Sequence, residues 1–87
     1  MTGRKLFIGG LGRTTTPDAV QRRLGRYAQV SAVEIVTHPS TGMSLGFGFV
    51  TFATQRDAAH ALREADGTGV DGHEIQLVAA ASRMATR

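Results

Sequence analysis

Leu45-Gly46-Phe47-Gly48-Phe49-Val50-Thr51-Phe52 alternates with period two, the pattern of a half-buried strand. Both phases carry apolar residues. Phe47 and Phe49 share one face with Thr51, while Val50 and Phe52 share the other with Gly48. A small domain covers one face of a sheet with its own helices. Either the strand is sandwiched on both sides, or one pair of rings faces water. Rings grouped on an open sheet surface mark a binding platform. We expect the second arrangement, with Phe47 and Phe49 exposed.

Working outward, His38-Pro39-Ser40-Thr41-Gly42 is turn chemistry. Before it, Val30 to Thr37 reads as a strand in which Val33 and Ile35 alternate with Glu34 and Val36. The connection is too short for a helix, so these two strands pair antiparallel. Lys5-Leu6-Phe7-Ile8-Gly9 reads as a first strand after a loose lead-in at residues 1–4, and Gly10-Leu11-Gly12-Arg13 as a loop. Thr16-Pro17-Asp18 starts a helix, with threonine as N-cap, proline in the first position and an acid in the first turn. Val20, Leu24, Tyr27 and Ala28 recur at helical spacing, and the helix is expected to end near Ala28 or Gln29.

Thr54-Gln55-Arg56-Asp57 resembles a capping box with aspartate in the third place, opening a helix whose inner face is Ala58, Ala61, Leu62 and Ala65. Asp66-Gly67 and Gly69 end it, Asp71-Gly72 marks a turn, and Ile75, Gln76, Leu77 and Val78 form the last strand. Residues 80–87 carry weak order signals, with alanines that extend a strand or form a short helix.

The chain has 87 residues, 41% hydrophobic and 20% charged, which supports one domain with a modest core. We take residues 1–87 as a single domain, with a core of about 5–80 and a tail at 81–87. The absence of cysteine excludes disulfides and thiolate-bound zinc. No apolar run reaches the ~18 residues of a membrane span, and no secretory pattern opens the chain. A soluble intracellular protein, nuclear or cytoplasmic, with no membrane partner is expected. The net charge of +3 and pI ≈ 10.6 are compatible with a nucleic-acid partner without establishing one.

The order is β-α-β-β-α-β, an α+β ferredoxin-like sandwich in which right-handed crossovers put both helices on one face of a four-stranded antiparallel sheet. The first and third strands become central neighbours, which brings Phe7 beside Phe47 and Phe49. Flat rings on a rigid sheet stack on unpaired bases at about 1–3 kcal/mol each. The competing reading packs these rings under a C-terminal helix or a partner protein.

Leu6-Phe7-Ile8-Gly9-Gly10-Leu11 resembles the first-strand ribonucleoprotein motif of the RNA recognition motif family. Residues 45–52 resemble its third-strand motif, Lys/Arg-Gly-Phe/Tyr-Gly/Ala-Phe-Val-x-Phe/Tyr. The similarity covers residues 5–80, and the paired glycines look most like the heterogeneous nuclear ribonucleoprotein and Musashi branch. The resemblance implies a single-stranded RNA-binding module, with single-stranded DNA as a second ligand, acting as a monomer without cofactor. It implies that Phe7 and Phe49 stack on bases and that Phe47 packs against ribose. Glu34, Val36, Thr51, Gln76 and Val78 would line the rest of the platform, and Lys5 would reach a phosphate or base edge.

Three features depart from the family pattern. Leu45 stands where a phosphate-pairing lysine or arginine is usual, Val78 where many relatives are basic or polar, and the loop from His38 to Ser44 has no cation. Arg22, Arg23, Arg26, Arg56 and Arg63 are expected to point away from the platform. Modest affinity with a shallow salt dependence follows. These departures also motivate the alternative function, a protein-interaction module that uses the sheet face or the first helix.

Other signals are weaker. Gly10 and Gly12 begin a dinucleotide-type glycine loop, but Thr15 occupies the third glycine's place and the chain is too short for a doubly wound sheet. His38, His60 and His73 share no metal spacing, so no metal is expected. Tyr27 reads as core rim with its hydroxyl in solvent. Serine, histidine and aspartate form no triad pattern, and nothing resembles the anion-cradling loop that an acylphosphatase-like enzyme on this topology would need. A non-enzymatic role is expected.

Overall fold

The computed structural model describes residues 3–79, so the expectations for residues 1–2 and for the tail from 80 onward fall outside it. Strand β1 (Lys5–Gly9) leads to helix α1 (Pro17–Leu24), then to β2 (Val30–Thr37) and β3 (Ser44–Phe52). Helix α2 (Gln55–Glu64), a short hairpin of β4 (Gly69–Val70) and β5 (His73–Glu74), and β6 (Gln76–Ala79) complete the chain. The four long strands form one antiparallel sheet in the order β2-β3-β1-β6, with β1 and β3 at its centre as expected.

Alternation assigns the two faces. Leu6, Ile8, Val50, Phe52 and Leu77 point to one side and are buried with Val20 and Leu24 of α1 and Ala58 and Ala61 of α2. Both helices thus cover that face. The alanines let α2 lie close to the sheet, and Ala65 at its C-cap is fully buried while Leu62 is half-buried. Phe52 is the largest side chain with no exposure, so the inner phase of β3 anchors the core.

Both helix starts follow their sequence signals. Thr16 Oγ1 accepts from the Ala19 amide at 3.2 Å, and Thr54 Oγ1 accepts from the Asp57 amide at 3.0 Å. Asp57 differs from the usual capping box, because its carboxylate accepts from the Thr54 hydroxyl at 3.0 Å. Helix α1 ends a turn earlier than expected, at Leu24, where Gly25 weakens helix propagation. The next residues stay wound by bonds from the Tyr27 and Ala28 amides to the Leu24 carbonyl, so both still pack on the core. The Tyr27 hydroxyl does not simply face solvent; it lies 3.4 Å from Thr68 Oγ1.

Two findings concern residues 67–76, where the expected turn is present and the expected start of the last strand is not. The Asp71-Gly72 turn connects a true hairpin, β4 with β5, and its two residues have φ of 53° and 79°, as a type I′ turn requires. Ile75 does not join the last strand. Its amide and carbonyl bond to Thr68 and Gly67, which ties the hairpin base together and buries the side chain completely.

Candidate nucleic-acid interface

The register sets the outward residues of the four strands in rows. Glu34, Phe49, Phe7 and Val78 follow one another across β2, β3, β1 and β6. Thr51 lies between Ala32 and Lys5 in the row on one side, and Gly9 between Phe47 and Gln76 in the row on the other. Eight of the nine residues singled out from sequence therefore share three adjacent rows. The ninth, Val36, is half-buried without joining the core, at an irregularity between Ile35 and Thr37.

The rings are half-buried, not bare as expected, because they bury one another. Phe7 stacks on Phe47 with centroids 5.8 Å apart at 25°, and meets Phe49 edge-on at 6.0 Å and 76°. Such pairs contribute about 0.5–1.5 kcal/mol each beyond burial, so the cluster is a stiff surface. Lys5 places Nζ 5.4 Å from the Phe49 centroid, a cation–π contact made before any ligand arrives. Glu34 and Gln76 are exposed, and Val78 is 37% exposed. Among the described residues, neither helix lies over this face.

The β1–α1 loop braces the platform. The Leu11 amide bonds to the Gly46 carbonyl and the Ser44 amide to the Arg13 carbonyl, while Ser44 Oγ accepts from the Gly46 amide. Gly46 has φ +93°, which bends the start of β3 and breaks the period-two pattern there. Leu45, before that bend, is 48% exposed. The same loop is no phosphate cradle, since the Gly12 amide is already bonded to the buried Thr15 hydroxyl.

Ala32 was not anticipated as a platform residue. It shares the outward phase of Glu34, two residues on, and pairs with Thr51, while the register shift between Val30 and Ala32 turns Val30 toward the core. Among the described residues no cluster of histidine, aspartate and glutamate could hold a metal, and His38 Nδ1 accepts from the Ser40 amide. The described clefts lie along α1 and beside the β2–β3 turn, away from the rings. The ring face is open, a shape suited to stacking and unsuited to enclosing a small substrate.

Comparison with known proteins agrees with this geometry. The chain is 33% identical over 79 residues to "Glycine-rich RNA-binding protein 4, mitochondrial" of Arabidopsis thaliana, covering 91% of this chain and 58% of that protein. It is 41% identical over 75 residues to "Probable splicing factor, arginine/serine-rich 4" of Caenorhabditis elegans, covering 86% and 38%. The chain thus spans little more than half, or less, of the curated relatives it matches. Among solved structures, the Sex-lethal RNA recognition domains of Drosophila melanogaster superpose with a TM-score of 0.79 at 21% identity, over 88% of this chain and 49% of that one. "RNA Binding Protein PG1" gives 0.79 at 26% identity, over 88% and 93%. The family model described as the RNA recognition motif matches residues 6–76, so the chain belongs to the RNA recognition motif family.

Proposed function

We propose that this chain is a single-stranded RNA-binding module that stacks unpaired bases on Phe7 and Phe49 and seats a ribose against Phe47. The ring trio carries this reading: three phenylalanines, with Phe7 packed against both Phe47 and Phe49, on the helix-free face of the two central strands. That the Arabidopsis relative is an RNA-binding protein supports it. Lys5, Thr51, Gln76, Val78 and Glu34 border the rings, with Val36 farther along β2, and together they meet the bases and backbone of the bound strand. The module works as a monomer, in a ribonucleoprotein setting inside the cell, and binds without catalysing a reaction. Gly9-Gly10 supports placing it with the heterogeneous nuclear ribonucleoprotein and Musashi branch. The domain comprises residues 1–87, around a core of about 5–80.

A chemical-shift titration with short random single-stranded RNA tests the proposal. Perturbations are expected along β1 and β3, and they should vanish in Phe47→Ala and Phe49→Ala. A parallel titration with DNA of the same sequence separates a ligand read through its 2′-hydroxyl from one held by stacking alone. Shifts confined to the helices, or none, would favour a protein-contact module. Met43, Leu45 and Val78 motivate that second reading, since these large apolar side chains are 39%, 48% and 37% exposed.

A further inference from the structure

Glu34 is the acidic group of the platform, and its position is specific. It sits directly across the ladder from Phe49, on the neighbouring strand, with its side chain exposed. On the opposite side of β3, Lys5 of β1 brings its ammonium to 5.4 Å from the centroid of the same ring. Phe49 is therefore flanked by an acceptor-only carboxylate and a donor-only ammonium. Among the described residues, no ion pair or hydrogen bond occupies the Glu34 carboxylate.

We infer that the Phe49 position selects guanine, with Glu34 as the specificity-determining residue. This rests on the RNA-binding reading above and sharpens it to one base at one place. A base lying on the Phe49 ring turns its edges toward the two flanking groups. Guanine carries N1–H and N2–H as adjacent donors, which a carboxylate receives with both oxygens, and O6 and N7 as adjacent acceptors, which a lysine reads. Adenine and cytosine each offer a single amino group and uracil a single imino group, so one carboxylate oxygen loses its water without gaining a partner. The carboxylate also repels backbone phosphate, so it cannot act as a general anchor. Its presence beside the ring favours a ligand whose base edge donates twice.

The test uses the whole chain and fluorescence anisotropy with five RNA hexamers: hexauridine, and UUUNUU with N as guanosine, inosine, adenosine or cytidine. Uridine flanks let the chain slide until the distinct base reaches Phe49. The guanosine hexamer is expected to bind roughly 10-fold tighter than hexauridine, within the discrimination a bidentate base contact confers. Inosine lacks the N2 amino group and should lose most of that gain, an arm that needs no mutation. Glu34→Gln, at an exposed site, should shrink the guanosine advantage to about twofold or less, because its amide presents a donor to a donor edge. A wild-type advantage below about twofold, or one that survives Glu34→Gln, overturns the inference. If Phe49→Ala still abolishes binding of every hexamer, the platform reading stands without it. Binding of no hexamer by the wild-type chain overturns both.

Discussion

Gly48 fixes the spacing on which the platform depends. A Cβ at this position would collide with the Glu34 carbonyl and stand 2.9 Å from the Ile35 Cα, and both are backbone atoms that no rotamer change can move. Gly48→Ala must therefore push β2 from β3 or strain both. We expect a loss of about 3 kcal/mol, read as a lower denaturant midpoint with amide shifts concentrated in β2 and β3. An unchanged midpoint would mean the two strands do not approach as closely as described. The alternation of residues 45–52 made the ring phase and the core phase legible. It could not reveal this collision, which depends on a neighbouring backbone, nor the bend at Gly46 that takes Leu45 out of strict period two.

The elements that emerged most clearly were those whose ends carry their own chemistry. Thr16 with Pro17, and Thr54 with Asp57, announce helix starts because a side-chain oxygen three residues before an unpaired amide satisfies it locally. Thr54→Ala removes both bonds to Asp57 and should cost about 1 kcal/mol, while Thr54→Ser should recover most of it. Thermal melts of the pair measure this; equal melts for alanine and serine would show that the cap contributes nothing. The end of α1 was less legible, because Tyr27 and Ala28 keep a helical spacing while Gly25 has already interrupted the helix. The β4–β5 hairpin escaped because two-residue strands are too short to show a period, although Asp71-Gly72 announced its turn. Of the candidate site, the ring positions followed from alternation and topology. Ala32, in the outward phase of Glu34, carries no chemical signal of its own, and only the face of Val30 is decided by a register shift.

At the scale of the molecule, half of the chain's ten lysines and arginines lie in or just after the helices, on the layer opposite the rings. Arg22 and Arg23 sit in α1, Arg26 just beyond it, and Arg56 and Arg63 in α2, while Lys5 is the described cation among the rows of rings. The exposed Asp18–Arg22 pair, at 3.6 Å, further engages one of the helix arginines without adding much stability. If RNA lies on the sheet as proposed, Lys5 and at most one further cation neutralise about one or two of its phosphates, and the slope of log affinity against log salt should lie near −0.7 to −1.4. Leu45 stands beside the rings at the start of β3, and half its surface is open to solvent at 48% exposure. Leu45→Arg should therefore strengthen RNA binding and steepen the slope by about 0.7, one more phosphate. A wild-type slope steeper than about −2 would move the phosphate contacts to other cations, such as Arg83 and Arg87 outside the described residues. The same substitution separates the two functional readings. A platform built for a protein's apolar surface loses partner affinity when Leu45 becomes charged, whereas a platform built for nucleotides gains ligand affinity, because the new guanidinium meets phosphate where leucine meets only water.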